Sequence, residues 1–337
     1  MTAKFRLDAV RDLREWDAFV EESPEATLFS TSAFLRATGR EFALWLVLKG
    51  DEPRAGVCLI QARDGKGFEL DDLVIHNGVF FAGESEGAVK NRVSRGNEQF
   101  ELIEFLAAEL AARHPRLEMS LSPGITDLRP FLWYNYHEPD RPHFRLDLRY
   151  TAYLDISEIQ DGSPESGSPV VAGLGASRRQ ELRYGRKAGV RGERIVDPEP
   201  LLSLYFATMR RQGIPDQDLR GATARIRRVI QALQAERRGQ LYAVRHSGSG
   251  EVVSTAMFGW DSKRAYYLYG GNDAERQERF SGTVVLWDAL IDLRERGLRQ
   301  VDFEGVNSPG RGWFKATFGG ALVPYFQVFL NEGTPRP

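Results

Sequence analysis

The spacing of hydrophobic residues divides the chain into alternating helical and strand-like segments. In the first half, an amphipathic helix carries its apolar residues between Leu13 and Val20, and a second helix predicted over 97–113 ends before Pro115. Short apolar runs rich in β-branched and aromatic residues predict strands at 42–48, 55–61, 73–81, 117–121 and 143–156.

The second half repeats this alternation. Helices are predicted at 177–189, 199–211, 223–238 and 283–296, and strands at 240–245, 252–260, 264–270, 299–304 and 322–330. Between the halves, the segment 158–170 is rich in Ser, Gly, Pro and acidic residues and predicts a linker or exposed loop. We therefore predict a tandem α/β (α+β) fold with domains over 1–157 and 171–337, each with a mixed central sheet flanked by helices.

Composition narrows the class of protein. The chain has 337 residues, of which 42% are hydrophobic and 27% charged, as in ordinary globular proteins. It has no run of about 18 apolar residues and no apolar signal core at its N-terminus, so a cytoplasmic protein without a membrane span is expected. The single cysteine, Cys58, and five scattered histidines predict neither a disulfide nor a classical zinc site, and no metal is expected.

Positive charge is concentrated in the second half, although the formal net charge is only −2. Residues 171–190 contain five cations and one carboxylate, and residues 209–228 contain six arginines and two aspartates, so each segment has a local charge of +4. In the first segment, Arg179, Arg183 and Lys187 (or Arg186) share one helical face. This face is either a solvated surface or an anion-binding surface for a nucleotide, a phosphate or the acceptor end of a tRNA.

Motifs near the C-terminus occur in an order that resembles a known family. The sequence YLYGGN begins at Tyr267, an apolar helix follows, and then come DFEG at 302–305 and FKATFG at 314–319. This order resembles the Fem-type peptidyltransferases and their acyltransferase relatives, which carry two GNAT-like domains. The likeness covers roughly 175–330, with weaker echoes at 26–35 and 129–136. One departure is Thr317, which stands where the family usually has glycine.

The resemblance implies tandem GNAT-like domains and an amide-forming acyltransferase. Such an enzyme moves an acyl or aminoacyl group from acyl-CoA or aminoacyl-tRNA to an amine, without a tightly bound cofactor. The acceptor would be a cell-wall precursor, a nucleotide sugar or a small amine. The helix at 177–190 resembles the basic helix that opens the second domain of the family, which implies donor binding by Arg178, Arg179 and Arg183.

Candidate catalytic residues follow from the same motifs. We predict that Lys315, in a glycine-punctuated turn, stabilises the oxyanion of the transition state and that Phe314 stacks on the donor. Asp302 and Glu304 lie two apart on a predicted strand and therefore share a face. They could accept a proton from the attacking amine, hold an ammonium group or pair with an arginine.

Two further groups are candidates for substrate contacts. Tyr267 and Tyr269 share a strand face, where they line a substrate channel or pack in the core. Arg279 and Gly282 partly match the GNAT loop R/Q-x-x-G-x-G/A, whose amides bind the diphosphate of an acyl-thioester donor at a helix start. Val284 replaces the last small residue of that loop, and an ordinary helix N-terminus is the alternative.

Two other classes of function remain open at this point. A domain of this fold can lose catalysis and remain a phosphate- or RNA-recognising module. The arginine clusters alone would also fit an RNA-binding protein, whereas DNA is not an expected partner. The leading hypothesis is an acyltransferase that acts on an amine-bearing small molecule or precursor.

Overall fold

The computed structural model describes residues 4–83, 92–159, 169–275, 278 and 280–331. The chain forms two compact units, one of Met1–Arg149 with Pro324–Pro337 and one of Tyr150–Val323. The predicted linker at 158–170 falls in the second unit, and its residues 160–168 lie outside the described part of the chain. The domain limits at 157 and 171 therefore stay a prediction.

The first unit combines an antiparallel sheet with helices. Its strands follow the order β1-β2-β3-β4 in that sheet, and β5 pairs antiparallel with the end of β12. The helices of this unit are α1 (Leu13–Glu22), α2 (Ser32–Thr38), α3 (Arg92–Arg113) and α4 (Arg129–Trp133). The strands are β1 (Arg6–Ala9), β2 (Phe42–Lys49), β3 (Glu52–Ile60), β4 (Gly78–Phe81), β5 (Arg116–Ser120) and β12 (Ala321–Asn331).

Local chemistry accounts for the start of this unit. Asp12 caps α1, because its carboxylate accepts the backbone N–H of Arg14 at 2.8 Å. The apolar stripe of the helix then buries Trp16 completely, and the indole N–H donates to the carbonyl of Ser30 at 2.8 Å. Burial of one apolar face, rather than intrinsic propensity, therefore holds α1 in place.

In the second unit, six strands of a mixed sheet are neighbours in the order β6-β11-β10-β9-β8-β7. All neighbours in it are antiparallel except β10 and β11, which are parallel. The strands are β6 (Arg145–Asp155), β7 (Glu193–Ile195), β8 (Gly239–Arg245), β9 (Val252–Trp260), β10 (Ala265–Asn272) and β11 (Gln300–Asp302). The helices are α5 (Pro169–Gly173), α6 (Ala176–Lys187), α7 (Glu199–Arg211), α8 (Asp216–Ala235), α9 (Ser281–Glu295) and α10 (Pro309–Ala316).

Helix α9 forms the centre of the core of this unit. It is apolar on nearly all sides, and Leu286, Leu290 and Leu293 are buried with Phe258 of β9 and with Phe303, which follows β11. Burial of large side chains at about 25 cal/mol per Å² makes this cluster the main stabilising feature of the unit. The rigid sheet and α9 form the frame on which the candidate site is built.

The predicted elements agree with most of the observed ones, with three informative differences. The predicted strand at 73–81 is reduced to Gly78–Phe81, and the one at 299–304 ends at Asp302. Helix α10 replaces the turn that was predicted around Lys315. Within the described part of the chain, no helix is long and apolar enough to cross a bilayer, and no cluster of three or more His, Cys, Asp or Glu residues could hold a metal ion.

Candidate active site

Strands β10 and β11 separate at the centre of the sheet. They pair only at Ala265↔Val301 and Tyr266↔Asp302, after which β10 continues to Asn272. The register of β10 against β9 also shifts between Tyr267 and Tyr269, which marks a β-bulge. Splayed strands and a bulge leave space beside the sheet for a ligand.

A cleft of about 300 Å³ occupies this space in the second unit. Side chains of β10, α7 and α10 line it, including Tyr205, Tyr267, Tyr269, Arg311, Phe314 and Lys315. The cleft therefore brings together four of the residues that the sequence singled out: both channel tyrosines, the stacking phenylalanine and the lysine. Arg311 and Tyr205 were not predicted, because neither belongs to a recognisable motif.

The bulge directs Tyr267 toward the cleft and requires a glycine nearby. A Cβ atom at Gly270 would lie 2.0 Å from the hydroxyl oxygen of Tyr267 and 3.1 Å from the carbonyl oxygen of Thr255. Only glycine leaves room for this packing. The tyrosine ring also contacts Phe258 and Phe303, so it is held by the core on one side.

Lys315 lies in the last turn of α10 and is half-buried in the cleft. Its Nζ atom lies 3.4 Å from the carbonyl oxygen of Gly305, to which it donates, and 5.3 Å from the ring centroid of Tyr267. The glycine-punctuated turn expected here is wrong as a local structure. The helix still directs the ammonium group into the cleft, as the hypothesis for this lysine requires.

The two carboxylates of the DFEG motif interact electrostatically with this ammonium group but are not arranged as predicted. Asp302 is fully buried at the end of β11, where Thr151 donates to its Oδ1 atom and the backbone N–H of Glu304 donates at 2.7 Å. Glu304 is 5% exposed and has a positive φ of 55°, so strand alternation does not extend to it. Its Oε1 atom is buried without a hydrogen-bond partner among the described residues.

The three charged groups perturb one another. Burial raises the pKa of Asp302 to about 6, while hydrogen bonds from Thr151 and Glu304 and the charges of Arg264 and Lys315 oppose the rise. Burial, with the charge of Asp302, raises the pKa of Glu304 well above its usual range. Burial likewise lowers the pKa of Lys315, against the attraction of both carboxylates. A cluster with these shifts can exchange a proton near neutral pH.

The basic face of α6 is exposed, but its arginines differ in their contacts. Arg178 forms an ion pair with Glu181 at 2.7 Å, and its guanidinium lies 4.8 Å from the ring centroid of Phe314, covering one face of that ring. Arg179 donates to the carbonyl oxygens of residues 172 and 174. Arg183 lies over the Tyr184 ring at 4.9 Å, and the described part of the chain offers it no ion pair.

The start of α9 is occupied by the protein itself. The N–H groups of Ser281, Thr283 and Val284 donate to backbone carbonyls of the preceding turn. The Thr283 hydroxyl is bonded to both Arg178 and Glu181 of α6, and a Cβ atom at Gly185 would lie 2.7 Å from Val284 Cγ2. The predicted phosphate ligand Gly282 lies within this first turn, whereas Arg279 lies outside the described residues.

Part of the chain is similar to a known protein family. Residues 176–314 match the family model of the acetyltransferase (GNAT) domain. The matched segment lies within the second unit. A comparison with curated proteins gives no match.

Solved structures extend the likeness to the whole chain at the level of fold. FemX is 15% identical with a TM-score of 0.64, over 95% of this chain and 96% of that one. A tandem GNAT protein from the clavulanic acid biosynthesis pathway is 11% identical with a TM-score of 0.53, and the match covers 99% of this chain and 100% of that one. The C-terminal domain of an Agrobacterium fabrum lysylphosphatidylglycerol synthetase homologue is 12% identical with a TM-score of 0.52, over 95% and 92%. The predicted Fem-type GNAT fold is confirmed.

Proposed function

We propose that the protein is an amide-forming acyltransferase whose reaction takes place in the cleft between β10 and α10. The observation that carries this proposal is that Lys315 and Tyr267 line the cleft, while the buried carboxyls of Asp302 and Glu304 interact electrostatically with the Lys315 ammonium. A cation and carboxylates with mutually shifted pKa values are the groups that attack of an amine on an acyl carbonyl requires.

The chemistry divides among three residues of the cluster. The attacking amine loses a proton to the ionised form of Glu304, whose raised pKa suits it to accept that proton and return it to the leaving group. The Lys315 ammonium stabilises the negative charge that develops on the carbonyl oxygen. Asp302 accepts the N–H of Glu304 at 2.7 Å and thereby fixes the turn that presents the glutamate. No covalent enzyme intermediate is needed, because the donor is already activated.

We propose an aminoacyl ester of tRNA as the donor in preference to acyl-CoA. Acyl-CoA binding by the loop at 279–284 would need free amides at the start of α9, and the amides of Ser281 and Thr283 are already bonded within the chain. Helix α6 also packs on that turn through Gly185 and Val284. The exposed cations Arg183 and Lys187 on α6 instead suit a polyanionic donor. The acceptor is an amine-bearing small molecule or precursor.

The test is deacylation by simple amines of labelled aminoacyl-tRNA and of labelled acetyl-CoA, each in a separate incubation. We expect amine-dependent loss of label from aminoacyl-tRNA, and we expect Glu304→Gln to abolish it. Lys66→Met, which removes an exposed cation in the first unit, serves as the control variant. Transfer from acetyl-CoA alone would refute the proposed donor, and no transfer from either compound with any amine would refute the proposed activity.

A further inference from the structure

The cleft between β10 and α10 is lined by positive charge. Among the described residues, every charged side chain in its lining is a cation, namely Arg211 of α7 and Arg311 and Lys315 of α10. Aromatic rings form much of the remaining wall, where Tyr205 and Tyr269 pack edge to face with their centroids 6.3 Å apart. Mostly apolar walls with a few charged groups at fixed points are typical of sites for small molecules.

The two arginines differ from the lysine in how their charge is neutralised. The Lys315 ammonium interacts with the buried carboxyls of Asp302 and Glu304. Within the described part of the chain, by contrast, neither Arg211 nor Arg311 forms an ion pair with a carboxylate. The cleft therefore carries positive charge that an anionic group of a bound molecule would neutralise.

The position of Arg311 on its helix is electrostatically unfavourable without such an anion. Arg311 lies in the first turn of α10, where the helix dipole is positive. It also precedes Lys315 by four residues, so the two cations share a helix face and repel each other. A negative group bound beside them would reverse both effects, which makes this arrangement typical of a binding site rather than of a stabilising surface.

The guanidinium of Arg211 is oriented by two contacts at the wall that α7 forms. Arg211 is the last residue of α7, and its Nη2 atom donates to the Thr208 hydroxyl at 3.1 Å and to the Asn272 carbonyl oxygen at 3.3 Å. Both of these partners also line the cleft. The bonds occupy one nitrogen of the guanidinium and leave the N–H groups of Nε and Nη1 to donate to a carboxylate or phosphate oxygen.

We propose that the acceptor carries a carboxylate or phosphate group in addition to its amine, and that Arg211 and Arg311 bind this group. The inference rests on the proposed function, because it takes the amine to attack an acyl group beside Lys315. Residues four apart on a helix have Cβ atoms about 5–6 Å apart, so only a few bonds separate the anionic group from the reacting amine. Charge-assisted bonds at one end of the acceptor thereby orient the amine at the other end.

The phosphates of the proposed tRNA donor are assigned to a different element. Arg178 of α6 covers one face of the Phe314 ring at 4.8 Å, and the exposed cations Arg183 and Lys187 belong to the same helix. In the described part of the chain, α6 contributes no residue to the lining of the cleft, whereas α7 contributes Arg211. Helix α6 therefore suits the donor, and the cleft arginines suit the acceptor.

The test compares matched acceptors in the aminoacyl-tRNA transfer assay with the full chain. γ-Aminobutyrate is paired with γ-aminobutyramide, and phosphoethanolamine with ethanolamine, so each pair shares a primary amine and differs in the anionic group. We expect kcat/KM of at least one anionic acceptor to exceed that of its neutral partner by about tenfold or more. The pair with the larger ratio identifies the group as a carboxylate or a phosphate. Equal kcat/KM values within both pairs overturn the proposal.

Substitutions of the two arginines show whether they bind the anionic group. In Arg211→Met and in Arg311→Met, we expect the ratio of kcat/KM values within a pair to fall to about two or less, mainly because KM for the anionic acceptor rises. Arg210→Met is the matched control, because Arg210 also lies in the last turn of α7, pairs with Asp216 at 3.5 Å and does not line the cleft. A ratio that survives both cleft substitutions, or that is lost equally in the control, overturns the proposal.

Calorimetric titration of γ-aminobutyrate and phosphoethanolamine without a donor separates this inference from the proposed function. Binding that is lost in Arg311→Met, in a protein that transfers no acyl group, would sustain the anion site and refute the activity. Transfer at equal rates to charged and neutral acceptors would sustain the activity and refute the anion site. Weaker binding of tRNA by Arg311→Met, with an unchanged preference among acceptors, would assign this arginine to the donor and also refute the inference.

Discussion

Replacement of Lys315 by methionine tests the centre of the proposed mechanism. The substitution keeps the length of the side chain and removes its charge. Acyl transfer places negative charge on the carbonyl oxygen, and the cleft holds the Lys315 ammonium 3.4 Å from the Gly305 carbonyl on the side of Tyr267. A unit charge about 4 Å from the oxyanion contributes roughly 4 kcal/mol at an effective dielectric constant of about 20.

This electrostatic contribution sets the expected loss of rate. Because the ground-state carbonyl carries little charge, most of this electrostatic stabilisation acts on the transition state. We therefore expect kcat to fall by about 10²–10³ and the KM for the acceptor to change little. The free energy of unfolding should change by about 1 kcal/mol or less, because the burial cost of the charge and its attraction to both carboxylates are lost together and oppose each other. The assay is single-turnover transfer with the donor–acceptor pair found above, together with urea unfolding.

Two results would contradict this reasoning. A kcat within twofold of the wild type would show that the ammonium does not act on the transition state. A large loss of stability would show that Lys315 holds the cluster together, and the loss of rate would then have no mechanistic meaning. Arg311→Met is the informative comparison, because Arg311 lines the same cleft on the same helix and has no assigned role at the carbonyl.

Three further perturbations test the geometry around the cluster. Gly270→Ala places a methyl group 2.0 Å from the Tyr267 hydroxyl, and we expect kcat/KM to fall by about tenfold to a hundredfold with the fold retained; unchanged kinetics would show that the tyrosine position is unimportant. The pKa of Asp302 is about 6 in the folded protein, against an ordinary value of 3.8. The stability that this carboxyl contributes is therefore fully present below about pH 4 and is lost as the pH rises through 6. Urea unfolding at several pH values should show that Asp302→Asn removes this decline of on the order of 3 kcal/mol, and an identical pH slope in the variant would contradict the assignment. Gly185→Ala should lower the free energy of unfolding by about 1–3 kcal/mol, because its new methyl group would meet Val284. Adding Val284→Ala should recover most of this loss. Strictly additive effects of the two substitutions on the free energy of unfolding would exclude the contact.

Regular elements were predictable where a single hydrophobic period governs the sequence. Helix α9 was predicted over 283–296 and runs over Ser281–Glu295, because a long apolar segment without glycine or proline after residue 282 has few alternatives. The predicted strand at 252–260 coincides with β9 for the same reason. In both elements, the preference of the local sequence and burial in the core favour the same structure.

Helix α10 shows why the local structure around Lys315 was not predictable. Its sequence PGRGWFKA contains a proline and two glycines, which normally indicate a turn. Pro309 is tolerated because it occupies the first turn of the helix, where its missing N–H is not needed. Gly312 is required by packing, since a Cβ atom there would lie 2.3 Å from the carbonyl oxygen of Val306. Proline and glycine indicate a turn when the local sequence is considered alone. In this protein they let α10 lie close to the loop at Val306, and only the tertiary contacts reveal this.

The residue types of the site could be predicted, whereas their arrangement depends on departures from regular structure. Strand periodicity would place Asp302 and Glu304 side by side on one face of a sheet. The left-handed backbone at Glu304 ends the strand and turns its carboxylate toward Lys315, and this conformation costs about 1 kcal/mol or more for a residue with a side chain. The hydrogen bond from the Glu304 amide to Asp302 offsets that cost. The aspartate is therefore needed even if it never touches a substrate, because without it the glutamate has no reason to adopt the conformation that the chemistry requires.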